Sequence, residues 1–204
     1  MLSRLRAGVE RLFTPLAKAL LRLGVSPDAV TIGGTIAVVA AALTLYPLGY
    51  LFAGTMVIWF FAMTDSLDGL MARLSGRAGP WGAFLDSTLD RFADAAVFSG
   101  LVLYLAGRGE DRLGAGLALA CLVLGSIVPY ARARAEGLGM TANVGIVQRA
   151  DRLTVALTTA ALVDLGLAPV VLTVVLGLLA AASAVTVVQR MVAVRRQTTR
   201  AGSR

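Results

Sequence analysis

The sequence predicts an all-α integral membrane protein: an N-terminal interfacial amphipathic helix followed by six transmembrane helices. Three observations carry that expectation. The chain has 204 residues, of which 57% are hydrophobic, and its mean hydropathy is +0.79. Its apolar residues gather in runs close to the roughly 20 that a helix needs to cross a bilayer. Its 19 Lys and Arg residues are distributed to one side of those runs.

Residues 2–23 (LSRLRAGVERLFTPLAKALLRL) alternate Arg and Lys with Leu, Val and Phe at helical spacing. That pattern is an amphipathic helix, too charged to span and best placed flat in the interface, with a kink expected at Pro15. Six spans follow at about 29–48, 50–74, 82–107, 112–135, 146–164 and 168–193. The third and fifth carry charges in their first thirds. A single domain is expected over 1–204, with a six-helix bundle at 29–193 and a disordered basic tail at 194–204 that is attracted to anionic lipid.

Orientation follows from the basic residues. With the N-terminus in the cytoplasm, the outer loops hold only Arg108 and Arg112, and the other 17 of the 19 fall inside. The expectation is a multi-pass protein of the cell inner membrane with both termini, and the site described next, on the cytoplasmic side. The net charge of +7 is thereby explained without nucleic acid. The single Cys121 lies in an apolar run, so neither a disulfide framework nor a thiolate metal site is expected.

Against this apolar background, five of the 12 acids cluster as Asp65, Asp68, Asp86, Asp90 and Asp94. A carboxylate in hydrocarbon is expensive, so several together imply a compensating cation and a function. Asp65 and Asp68 lie at i, i+3, and Asp86 and Asp90 at i, i+4, so each pair shares a helix face. Counted at 1.5 Å per residue, both pairs fall just below the inner surface, while Asp94 lies about 18 Å deep, too far to join them. Two opposed pairs supply carboxylate oxygens enough to bridge two divalent cations of the Mg²⁺ or Mn²⁺ kind. Small residues surround them, and Arg73 adds a phosphate or base contact. The plainer alternative is that Arg73, Arg77 and Arg91 pair with these acids and merely lock two helices.

Asp65-x-x-Asp68-Gly69-x-x-Ala72-Arg73, then Gly82-x-x-x-Asp86-x-x-x-Asp90, resembles the signature of the CDP-alcohol phosphotransferases at eight positions within 26. The segment Ser26–Thr31 is similar to the one that precedes the first span in that family. The resemblance implies a metal-dependent transfer from a CDP-linked lipid with release of CMP. It places Asp65, Asp68 and Asp86 on a first cation and Asp65, Asp86 and Asp90 on a second, with Asp90 as general base. With no histidine in the chain, a carboxylate is also the natural base on chemical grounds. Asp28, Ala29, Val30, Thr31, Gly69 and Arg73 would contact the CDP-diacylglycerol. Gly79 stands where many relatives carry Ser or Thr, so backbone would replace a side-chain contact there. Trp81 reads as an interfacial anchor.

Inner-side arginines recur on the later helices. Positive-inside bias alone explains each one, but together they suit the phosphate of an acceptor. Tyr130–Glu136, Gln148–Arg152 and Val188–Arg190 resemble the actinobacterial phosphatidylinositol phosphate synthases within the same family. That likeness implies inositol 1-phosphate as acceptor, held by Arg132, Arg152 and Arg190, and a homodimer. Arg132, Pro129 and Ala150 depart from the commoner Lys, Ser and Pro. Glycerol 3-phosphate would equally want arginines, which leaves a phosphatidylglycerophosphate synthase as the alternative. A cation transporter or a membrane scaffold are rivals of another class, separated by metal-dependent CMP release. The glycine pairs Gly33-Gly34 and Gly114-x-Gly116 are expected at close helix contacts, and Tyr46, Tyr50 and Trp59 at the outer interface or facing lipid.

Overall fold

A computed structural model describes residues 13–62 and 65–201, with the side chains of 65, 66, 200 and 201 outside the described set. The expected amphipathic helix is described only over 13–22, here α1; residues 2–12 lie outside, as do 202–204 of the tail. Seven further helices follow: α2 (Pro27–Leu45), α3 (Leu51–Ala62), α4 (Asp65–Leu74), α5 (Pro80–Ala106), α6 (Arg112–Glu136), α7 (Arg149–Asp164) and α8 (Val170–Ala201).

Local chemistry sets their starts. Ser26 caps α2, its Oγ accepting from the Ala29 N–H at 3.1 Å, with Pro27 in the first turn. Asp111 caps α6, accepting from the Gly114 N–H at 2.8 Å and from the hydroxyl of Thr173 on α8. Those two donors hold its carboxyl below the usual range. Gln148 and Asp151 form a reciprocal capping box at the start of α7.

Six helices pack in the order α2, α5, α6, α8, α7, α3 and back to α2, so the packing closes a ring, and α4 packs on α2 outside that sequence. Its interior holds Tyr46, Leu51, Phe98, Leu101, Cys121, Leu172 and Leu176, all buried. The outer surface stays apolar, with Ile36, Phe60, Leu103 and Leu178 each more than half exposed. That is the inverse of a soluble bundle and matches a lipid environment. Four stretches are long and apolar enough to cross a membrane: Pro27–Leu45, Leu51–Leu74, Arg112–Glu136 and Pro169–Thr199. A second cluster, Ala17, Leu67, Leu70 and Met71, seats α1 against α4.

Three expectations change. Tyr46 does not face lipid or the interface: it is fully buried, and its hydroxyl shares a hydrogen bond of 2.9 Å with Thr55 Oγ1. The tail is helical, because α8 runs on to Ala201. Gln197 anchors it, accepting from the Thr141 N–H at 3.0 Å and donating to the Thr141 carbonyl at 2.6 Å. Of the glycines expected at close helix contacts, Gly114 is one, since a Cβ there would lie 3.0 Å from Thr173 Oγ1 on α8, but the tightest crossings fall at glycines outside that set. A Cβ on Gly100 would lie 2.3 Å from the Ala42 carbonyl oxygen, and one on Gly54 2.6 Å from the Tyr46 ring, whereas Gly33 and Gly116 have nothing within 4 Å.

Candidate active site

The starts of α2 and α5, together with α4, frame a cavity of about 480 Å³. From α2 come Pro27, Asp28 and Thr31, which share one helix face. Ala29 and Val30 do not reach the wall: Val30 packs into the cluster beneath α1, and Ala29 spends its N–H on the Ser26 cap. From α4 come Asp68, Gly69, Ala72 and Arg73, and from the start of α5 come Gly79, Gly82, Asp86 and Asp90. Asp65 opens α4, but its side chain lies outside the described residues.

Hydrogen bonds preset two of these carboxylates. Asp68 is nearly buried, and accepts from the Thr31 hydroxyl and the Gly69 N–H, each at 2.5 Å. Asp28 accepts from the indole N–H of Trp81 at 2.9 Å. Trp81 therefore ties the start of α5 to the start of α2 besides being exposed at the surface. Asp86 is exposed on the wall and, among the described residues, makes no ion pair. No three acids converge to chelating distance among the described residues. The donor chemistry nonetheless fits a hard divalent cation, because four carboxylates, of Asp28, Asp68, Asp86 and Asp90, share one cavity with no nitrogen or sulfur ligand on its wall besides arginine.

Gly79 is the N-cap of α5 with an extended backbone and no side-chain cap, and Pro80 follows it. The first turn of α5 thus leaves backbone N–H groups free at the cavity edge. With the start of α2 opposite, the site gathers two positive helix ends, which favours a phosphate group.

Behind it lies a second cavity of about 420 Å³, between α6, α7, α8 and the segment 143–148. Arg132, Arg152 and Arg190, the three expected phosphate ligands, all line it, as do Arg91 and Arg149. Arg190 donates from Nε to the Val144 carbonyl at 3.0 Å and from Nη1 to the Val128 carbonyl. Arg132 pairs with Glu136 at 2.8 Å on an exposed face. Arg152 is 2% exposed, lies against the Phe98 ring, and donates from Nη2 to Asp94 Oδ2 at 3.1 Å.

Asp94 explains how so many arginines stand together. It is absent from the first cavity, as its depth implied, and 6% exposed. Arg149 approaches it at 2.9 Å, Arg152 at 3.1 Å and Arg91 at 3.8 Å. Arg149 also reaches Asp90 at 2.9 Å and is its nearer arginine; of the three arginines in the plainer alternative, Arg91 pairs with Asp90 as well, at longer range. Arg91 stays 3.7 Å from Asp90. Sequence reasoning counted Arg149 among the inner-side arginines and set Asp94 apart from the first cavity, but it missed their pairing with each other and with Asp90, and it missed Gly125. A Cβ on Gly125 would lie 2.7 Å from the Arg152 Cζ, so only glycine leaves room for that guanidinium. The one sequence signal was a fifth aspartate on the face of Asp90, four residues on.

A profile described as CDP-alcohol phosphatidyltransferase matches residues 24–145. The chain belongs to the CDP-alcohol phosphatidyltransferase family. The match spans every residue of the first cavity except Arg149, and ends before α7 and α8. Relatives within the family extend the likeness to both. The chain is 50% identical over 203 residues to the phosphatidylinositol phosphate synthase of Cutibacterium acnes, covering 96% of this chain and 98% of that one. It is 47% identical to the phosphatidylinositol phosphate synthase of Mycobacterium tuberculosis, over 91% of this chain and 87% of that one. The crystal structure of the Mycobacterium tuberculosis enzyme with CDP-DAG bound superposes with a TM-score of 0.86, covering 90% of this chain and 94% of that one. The same enzyme in complex with manganese and citrate gives 0.85, over 89% and 88%.

Proposed function

We propose that this protein transfers the phosphatidyl group of CDP-diacylglycerol to the hydroxyl of inositol 1-phosphate, releasing CMP, as a step of phospholipid biosynthesis. The observation that carries this reading is the adjacency of two unlike cavities. One is lined by Asp68, Asp86 and Asp90 and the other by five arginines, and the two share Arg149. A carboxylate cavity suits cation-assisted phosphoryl chemistry, and an arginine cavity suits a phosphorylated acceptor. The arginines of α7 and α8 lie beyond the family-wide match, where residues particular to one acceptor belong.

Asp65, Asp68, Asp86 and Asp90 would hold two divalent cations, Mg²⁺ or Mn²⁺, which when bound neutralise charge on the phosphoryl oxygens. Thr31 and the Gly69 N–H keep Asp68 turned into the cavity. Asp28, Thr31, Gly69, Arg73 and the backbone at Gly79 receive the CDP moiety. Arg132, Arg152 and Arg190 hold the acceptor phosphate. Asp90, on the wall of the carboxylate cavity and paired with the Arg149 that both cavities share, takes the proton of the acceptor hydroxyl. The acceptor oxygen then bonds to the phosphorus next to diacylglycerol, and the bond to CMP breaks. Arginine recognises the phosphate and not the polyol, so glycerol 3-phosphate is the second acceptor to compare.

The same reading makes the chain one membrane domain with α2, α3–α4, α5, α6, α7 and α8 as six spans. In its support, α5 and α7 each pack between two helices apolar enough to cross. The arginine bias puts the site on the cytoplasmic side of the cell inner membrane. A homodimer goes with the family likeness.

The test is CMP release from CDP-diacylglycerol by the purified chain, with and without a chelator. Release is expected to need the divalent cation and to vanish in Asp90→Asn while the protein stays folded. Substantial release by Asp90→Asn removes Asp90 as the base.

A further inference from the structure

Arg149 lines three cavities: the carboxylate cavity, the arginine cavity, and a third, largely apolar one of about 260 Å³ between α2, α3, α5 and α7. Its backbone is held in the first turn of α7 by the Gln148–Asp151 capping box. Its side chain is about one-third exposed and forks between two acids, Nη2 to Asp90 Oδ1 and Nε to Asp94 Oδ1, each at 2.9 Å. The two contacts differ in kind. Asp94 is buried and shared with Arg91 and Arg152, so it already has cationic company. Asp90 stands on the wall that the cation site claims, and its other arginine is 3.7 Å away.

We propose that Arg149 is a positioning residue that couples the divalent cation site to the acceptor phosphate site. The proposal rests on the reading of the carboxylate cavity given above. A guanidinium on Asp90 and a divalent cation on Asp90 compete for one carboxylate and repel each other. Cation binding therefore releases Nη2 of Arg149, while Nε keeps its hold on Asp94. The freed donors belong to a side chain that already lines the arginine cavity, and a dianionic phosphate there draws them away from Asp90. Each ligand thus removes the obstacle to the other, and linkage makes that help reciprocal. Arg149 serves the reaction by withholding Asp90 until both sites fill, and it need not touch the reacting atoms.

The experiment is titration of the purified full chain with Mn²⁺ alone, with inositol 1-phosphate alone, and with each in the presence of the other, read as dissociation constants by calorimetry. In the unaltered chain each ligand should tighten the other about fivefold or more. In Arg149→Gln, Mn²⁺ alone should bind about fivefold more tightly, the worth of removing an ion pair of this exposure. The mutual tightening should also shrink. A merely structural role for Arg149 would move the Mn²⁺ constant the other way. Arg149→Lys keeps the charge but loses the fork, and should fall between. Arg132→Gln removes the same charge from the acceptor side without touching Asp90, and should change the Mn²⁺ constant less than Arg149→Gln does. Unchanged or weaker Mn²⁺ binding in Arg149→Gln, or an equal gain in Arg132→Gln, overturns the coupling. Failure of the unaltered chain to bind Mn²⁺ overturns the cation site itself, and the coupling with it.

Discussion

Arg152 donates from Nη2 to Oδ2 of Asp94 at 3.1 Å, across 58 residues of sequence and in a setting that excludes water from both side chains. This pair joins α7 to α5 and sets one wall of the arginine cavity. An ion pair so placed owes its persistence to mutual compensation, because each charge alone would be stranded.

Asp94→Asn should therefore weaken the acceptor site more than the donor site. Asn keeps the shape and one acceptor oxygen but leaves Arg91, Arg149 and Arg152 without their common anion. The expected outcome is an inositol 1-phosphate KM raised about tenfold or more, with the CDP-diacylglycerol KM changed far less, and a lower thermal midpoint in detergent. Breaking a buried pair costs about 3–5 kcal/mol, and the retained hydrogen bonding of Asn places this variant below that range. Equal changes in both KM values would contradict the assignment of Asp94 to the acceptor side.

Gly125→Ala tests the same wall without altering any charge. The new Cβ would stand 2.7 Å from the Arg152 Cζ and 2.9 Å from Nη2, so the guanidinium must shift. Acceptor KM should rise several-fold while kcat at saturating acceptor holds within about twofold, the pattern of lost uniform binding. Steady-state kinetics on both substrates reads this directly. An unchanged acceptor KM would mean that the Arg152 position is immaterial to binding.

Thr31→Val removes the hydroxyl that Asp68 accepts at 2.5 Å and keeps the side-chain volume. A hydrogen bond to a charged group contributes about 1.5–3 kcal/mol, so Asp68 should lose orientation as well as support. The expected result is Mn²⁺ affinity and kcat/KM for CDP-diacylglycerol both lower by about tenfold, with Thr31→Ser retaining most of each. Loss in kcat/KM with unchanged Mn²⁺ affinity would assign Thr31 to the nucleotide alone.

Gly100→Ala addresses the scaffold. A Cβ there would meet the Ala42 carbonyl oxygen at 2.3 Å, where α5 crosses α2. Neither backbone can yield without separating the helices that carry Thr31 and Asp86. Overpacking of this sort costs about 1–3 kcal/mol. A lowered thermal midpoint with proportionate loss of activity is expected, and an unaltered midpoint would contradict the closeness of that crossing.

The chemistry was more legible in the sequence than its wiring. Asp68, Gly69, Arg73, Asp86 and Asp90 announce themselves because helical spacing puts each set on one face, and the structure gathers them on one wall. Arg132, Arg152 and Arg190 likewise reach one cavity from three helices. Ala29 and Val30 are the exception, since the run Asp28–Thr31 is helical and half of it must turn away. Arg149 and Asp94 were not legible as a pair, because which face of α7 meets which face of α5 depends on the closed ring and not on either helix alone. Tyr46 failed for a related reason: an aromatic near a helix end reads as interfacial until a partner, here Thr55, takes its hydroxyl inside. From residue 194 on, the basic residues suggest disorder, and the hydrogen bonds of Gln197 with Thr141 reverse that.

The most direct test of the account is CMP release by the purified full chain with CDP-diacylglycerol and Mg²⁺, comparing inositol 1-phosphate, glycerol 3-phosphate, free inositol and serine. The account predicts turnover with inositol 1-phosphate and little with free inositol or serine, because the arginine cavity needs a phosphate, and the likeness to phosphatidylinositol phosphate synthases leads it to predict little with glycerol 3-phosphate. Turnover with glycerol 3-phosphate in place of inositol 1-phosphate would contradict the acceptor assignment and leave the carboxylate cavity standing. No CMP release with any acceptor, from folded protein, would contradict the transfer reaction itself.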